Sequence, residues 1–113
     1  MRYSISDKIN KGYQLFIRGN IEEASRLVED LEKVKELTQE ENLSCQLLKA
    51  NVFSEMGKDD ESLLIAKQVF QNAKKLGYVF LAIRAIQARR VSRLNLGTYW
   101  EEGEIHSQLG GVL

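Results

Sequence analysis

LSCQLLKANVFSEMGKDDESLLIAKQVFQNAKKLG, residues 43–77, decides the fold. Leu43, Leu47, Ala50, Phe53 and Met56 recur at intervals of three and four, the period of one helix face. Gly57 then interrupts the pattern, because glycine takes the left-handed conformation that ends a helix without steric cost. Asp59 or Asp60 is placed to cap a second helix, where an acid also suits the positive end of the helix dipole. That helix carries Leu63, Ala66, Val69, Phe70 and Ala73, ends in the cations Lys74 and Lys75, and stops at Gly77. Two such helices across a short glycine link make an antiparallel hairpin.

The flanking sequence reads the same way. A first helix is expected over residues 5–18, started by Ser4 or Ser6, with Gly19-Asn20 as a turn. A second follows over residues 21–37, with Asn20 and Glu23 spaced as a capping box. Its apolar stripe is Ala24, Leu27, Val28, Leu31, Val34 and Leu37, and its other face is charged and solvated. Thr38 and Glu41 form another capping box, opening the helix that holds Leu43–Met56. A fifth helix spans residues 78–96, with Phe80, Ile83, Ile86, Val91 and Leu94 as its stripe. Gly97 ends it, and Thr98 with Glu101 opens a short sixth helix carrying Trp100, Ile105 and Leu109.

The 113 residues suit a single domain. The absence of proline fits a helical chain. Hydrophobic content of 43% and charged content of 28% exclude the composition of a disordered segment. No apolar run has the length of a membrane span, no secretory leader is visible, and Cys45 has no partner for an internal disulfide; the expected compartment is the cytoplasm. Formal net charge is zero but unevenly spread. Residues 22–41 hold eight acids against three bases, whereas residues 62–100 hold seven bases and no acid.

The turn glycines Gly19, Gly57 and Gly97 are 38 and 40 residues apart, a period that points to stacked helical pairs. Around them the pattern resembles the tetratricopeptide repeat. That family has a small residue seven before the turn glycine and a large one four before it. It has small or apolar residues five, nine and twelve after it. These are Ala50, Phe53, Ser62, Ala66 and Val69 in the central unit, and Gly12, Leu15, Ala24, Val28 and Leu31 in the first. The third unit departs, with Arg90, Arg93 and Glu102 at three of the positions, and the family's tryptophan and closing proline are missing. The resemblance implies an all-α fold of one domain over residues 1–113, with repeats at about 5–37, 39–77 and 78–109. It implies a right-handed solenoid whose first helices line a concave protein-binding surface. On that geometry the groove-lining residues are Ile9, Tyr13, Phe16, Leu47, Asn51, Arg84, Gln87 and Val91.

Catalytic constellations are not found. His106 is a single histidine on a weak terminal helix. Cys45 lies near a helix start, but Glu40 and Glu41 oppose a thiolate, and it reads as a small buried hydrophobe. There is no metal-ligand spacing or phosphate-binding glycine loop, so no cofactor is expected. Arg84, Arg89, Arg90 and Arg93 have two readings: solvated stems covering apolar surface, or a site for an anionic partner such as an acidic peptide. Tyr13, Phe16 and Ile17 either line the concave face or pack on the third helix. The expected function is non-enzymatic protein or peptide binding, as a small adaptor, with a homodimer through the C-terminal hairpin. The alternatives are nucleic-acid binding by the basic fifth helix, disfavoured by a near-neutral pI and the lack of interleaved aromatics, and a self-assembling structural unit.

Overall fold

The computed structural model describes residues 4–95, with side chains to residue 89. Within them are five helices and no strand: α1 (Ile5–Ile17), α2 (Ile21–Glu32), α3 (Gln39–Glu55), α4 (Asp59–Leu76) and α5 (Val79–Asn95). The expected sixth helix, the Gly97 turn, His106, and the side chains of Arg90, Val91, Arg93 and Leu94 lie outside the described residues.

Three of the four connections share one geometry. Gly19, Gly57 and Gly77 have φ of 82°, 79° and 82°, the left-handed region that only glycine enters without strain. At each, the next residue's backbone N–H reaches back to the last turn of the preceding helix. Asn20 N donates to Leu15 O at 2.8 Å, Lys58 N to Phe53 O at 2.8 Å and Tyr78 N to Ala73 O at 2.9 Å. The glycine N–H closes an inner bond, to Phe16 O, Ser54 O and Lys74 O respectively. This pairing satisfies two carbonyls that a helix end otherwise leaves open.

The same bonds overturn two capping expectations. Asn20 makes no side-chain cap, and its N–H does not donate to the Glu23 carboxylate, because that N–H is already held by Leu15 O. The N-cap of α4 is Lys58, not Asp59 or Asp60; the acids fall in the first turn instead, still beside the positive dipole end. Where no glycine turn precedes the helix, caps form as read. Ser4 Oγ accepts from Asp7 N, and Thr38 with Glu41 makes a full capping box, at 3.1 and 2.9 Å.

The α2–α3 connection lacks glycine and is longer. α2 ends at Glu32, not at residue 37, and Val34 N bonds Leu31 O in a tight turn. The chain must reverse and arrive extended at Thr38 (ψ 164°), so the last apolar positions, Val34 and Leu37, lie half-buried in the connection.

Packing centres on α3, which touches all four other helices; α1 also touches α2, and α4 touches α5. It therefore buries residues on several sides, including Leu43, Cys45, Leu47, Leu48, Ala50 and Val52. Toward α1 and α2 it meets Ile9, Ala24, Val28 and Leu31; toward α4 and α5 it meets Ala66, Val69, Phe70, Ala73 and Ile86. Met56, read as part of its stripe, is 45% exposed beside the Gly57 turn. α4 keeps its expected face, with Ser62 added and Leu63 only half-buried.

On α5 the buried face differs from the expected one. Leu81, Ala82, Ala85, Ile86, Ala88 and Arg89 are inside, whereas Phe80 is 84% exposed. α5 must approach α3 and α4 together, and alanines permit that approach where larger side chains would not. Arg89 is 2% exposed, with its guanidinium 5.7 Å from the Phe70 ring centroid. It is a core residue, not the surface arginine expected.

Candidate functional site

The eight residues expected to line a groove divide in the structure. Ile9 and Leu47 are buried at 6% and 0%, inside the core clusters, and do not line a surface. α1 packs on both α2 and α3, and α3 on all four other helices, so these large aliphatics are covered by neighbouring helices. Val91's side chain lies outside the described residues. Tyr13, Phe16 and Asn51 are half-buried, and Arg84 and Gln87 are exposed. Tyr13 and Phe16 pack against the cluster that holds Leu48 and Val52 of α3, while Ile17 remains 77% exposed.

Two of these residues meet across the central helix. The Arg84 guanidinium of α5 lies 4.4 Å from the ring centroid of Tyr13 on α1. The Tyr13 hydroxyl points at the Ser44 carbonyl of α3, at a long 3.5 Å. Side chains from α1, α3 and α5 thus converge on one face. Burial pushes the Tyr13 hydroxyl up to about 12, against a smaller opposing effect of the Arg84 charge. Tyr13 is therefore a neutral hydrogen-bond donor and a cation platform at physiological pH. Arg84 adds a positive charge and planar donors able to hold a carboxylate.

Other chemistry is sparse among the described residues. Cys45 is fully buried, and burial, with Glu32 adding to it, pushes its thiol up to about 11. It stays protonated and poorly nucleophilic. No group of three or more His, Cys, Asp and Glu is gathered as a metal ion needs. Depressions of about 330 Å³ beside residues 34–46 and 630 Å³ along the outer side of α1 are lined by dispersed polar side chains with no nucleophile–base pair. No helix is long and apolar enough to cross a membrane.

Residue-pattern reading missed two contacts of this kind. Phe53, the large residue before the second turn, has the ammonium groups of Lys49 and Lys58 at 5.4 and 4.9 Å from its ring centroid. Lys49 also pairs with Glu32 of α2 at 2.9 Å. The i,i+4 spacing of Lys49 and Phe53 was the available signal.

The chain matches no family model, and no curated protein or solved structure matches it. The ten positions assigned to the repeat pattern divide clearly. Gly12, Ala24, Val28, Leu31, Ala50, Ser62, Ala66 and Val69 are buried, and the two large residues before the turns, Leu15 and Phe53, are half-buried.

Proposed function

We propose that the chain is a non-enzymatic protein-binding module, a short stack of tetratricopeptide-like hairpins that presents the α1–α3–α5 face to a peptide or protein. The observation that carries the reading is the Arg84–Tyr13 contact: first helices of the first and third hairpins touch side chains across the second. That is the arrangement of a surface curved inward over α3. The order of helix contacts supports it, since α1 packs on α2 and α3, and α3 packs on α4 and α5. The matching burial of the repeat positions supports it again. The face mixes an aromatic platform, the amides of Asn51 and Gln87 and the Arg84 charge, a composition suited to main-chain and acidic groups of an extended ligand. Among the described side chains of α5, Arg84 is exposed and Arg89 is buried, which weighs toward protein over nucleic acid.

The test is capture from native cell extract at low and physiological salt, with nuclease-treated controls. Wild type is compared with an inner-face variant, Asn51→Arg with Arg84→Glu, and an outer-face variant, Lys67→Glu. The expected result is a protein captured by wild type and Lys67→Glu and lost with the inner-face variant. Capture that disappears on nuclease treatment, or that the inner-face variant retains in full, contradicts the reading.

A further inference from the structure

α5 turns one exposed row toward the inner face. Arg84 meets the Tyr13 ring of α1 across α3, so the side of α5 that carries Arg84 is the inner side. Phe80 and Gln87, four residues before it and three after, share that side. All three are exposed, Phe80 most of all at 84%. Leu76 and Val79, each 42% exposed, widen the apolar area around the ring. Among the described residues no carboxylate pairs with Arg84. The row thus offers an apolar ring, a cation and an amide, in that order.

The charges beside the row fix which ligand group goes where. Direction reverses at Gly57 and again at Gly77, so α3 and α5 run parallel. Ser44 of α3 stands level with Arg84, because both meet Tyr13: one at its hydroxyl, the other at its ring. Glu40 and Glu41, about one turn before Ser44, therefore lie at the level of Phe80. There they line a depression of about 340 Å³ together with Ser44. An acidic ligand group is repelled at that level and attracted one turn further on, at Arg84. The Phe80 level is left to an apolar group.

We infer that this face takes an extended peptide carrying a large apolar residue and an acidic residue two positions apart, the first against Phe80 and the second against Arg84. The inference rests on the α1–α3–α5 face being the binding face. The spacing follows from two repeats. Four residues of helix rise about 6 Å, and side chains on one side of an extended strand recur every ~6.6 Å. An extended strand also keeps main-chain groups open to the amides of Gln87 and Asn51, which a helical ligand does not. Arg84 alone accepts any acid; Phe80, outside the groove residues expected from the sequence, makes the choice selective.

The test selects a phage-displayed library of random peptides on the full-length chain and measures the selected peptides by fluorescence anisotropy. The variants are Phe80→Ser, Arg84→Gln and Asn51→Arg, each checked for folding by circular dichroism. Enriched peptides are expected to pair a large apolar residue with Asp or Glu two positions away. Phe80→Ser is expected to weaken them by about tenfold or more and to remove the apolar preference. Arg84→Gln is expected to remove the acidic preference. No enrichment, enrichment without that pair, or an affinity unmoved by Phe80→Ser overturns the inference. Peptides lost with Asn51→Arg but indifferent to Phe80→Ser overturn it while leaving the binding face in place; peptides indifferent to both changes remove the face as well.

Discussion

The first and second hairpins meet the same packing requirement with different residues. Seven residues before the turn, the first has Gly12 and the second Ala50; five after it, the first has Ala24 and the second Ser62. All four are buried. The neighbour on α3 accounts for the first difference. A Cβ at position 12 would run into Leu48 Cδ2, and would lie 3.4 Å from Leu27 Cδ2. α5 meets α3 differently, since Ala50 shares a cluster with Ala82, Ala85 and Ala88 of α5. Where Leu48 faces α1, position 12 drops to glycine; Ala50, in a cluster with three alanines of α5, keeps its methyl group. What the two hairpins hold in common is a small buried residue at each of these positions, not the same residue.

The cluster around α4 is the larger of the two interfaces, and breaking it has the largest expected effect. Phe70 is 1% exposed and lies under both Lys74 and Arg89. Phe70→Ala is expected to lower unfolding free energy by about 3–5 kcal/mol in urea titration. A loss below ~1 kcal/mol, the ordinary effect of a point change, would place Phe70 outside the core.

The contrast itself is sharpened by adding bulk at the two equivalent positions. Gly12→Leu and Ala50→Leu are each expected to cost about 1–3 kcal/mol through overpacking. Trimming Leu48 to Ala should recover part of the loss for Gly12→Leu and none for Ala50→Leu. Equal recovery in both would mean that Leu48 does not distinguish the interfaces.

Alkaline pH probes the first interface, because its two shifted groups, Tyr13 and Cys45, both lie there. Burial raises them to about 12 and about 11, from ordinary values of 10.0 and 9.0. The fold holds the neutral forms, so the unfolded chain releases these protons first. Their contribution is complete below pH 9 and is lost as pH climbs from there toward 12, by on the order of 2 kcal/mol for each group. Urea titrations at stepped pH should show a shallower decline above pH 10 for Tyr13→Phe than for wild type; identical slopes would put Tyr13 in water.

The smallest effect concerns the second pair of positions. Ser62 donates a 2.6 Å bond to the Ala50 carbonyl, which Ala24 in the first hairpin cannot do. Ser62→Ala is expected to cost about 0.5–1.5 kcal/mol. A thermal melt that is unmoved, or raised, would show that the hydroxyl only fills space.

Turns and small residues were the legible part of this fold. Gly19, Gly57 and Gly77 announce their turns because the left-handed geometry excludes other side chains. Gly12, Ala50 and Ala66 announce close approach by size alone. The misread positions are those where two demands fall on one group. Asn20 is a good cap by type, but its N–H closes the preceding helix. Phe80 is apolar and Arg89 is charged, yet α5 faces two helices at once, and its alanines set which side turns inward. Of the expected binding residues, those with polar or aromatic tips stayed accessible, while the aliphatic Ile9 and Leu47 became core. Periodicity places a residue on a helix; how many neighbours that helix has decides what is left for a partner.

The inward curve proposed for the α1–α3–α5 face is tested most directly by nuclear Overhauser spectroscopy on labelled protein in solution. The predicted result is a cross-peak between the Tyr13 ring protons and the Arg84 side chain, abolished by Arg84→Ala with the α3–α5 cross-peaks unchanged. Intact α3–α5 cross-peaks with no Tyr13–Arg84 signal in wild type would contradict it, leaving the helices packed but the face flat.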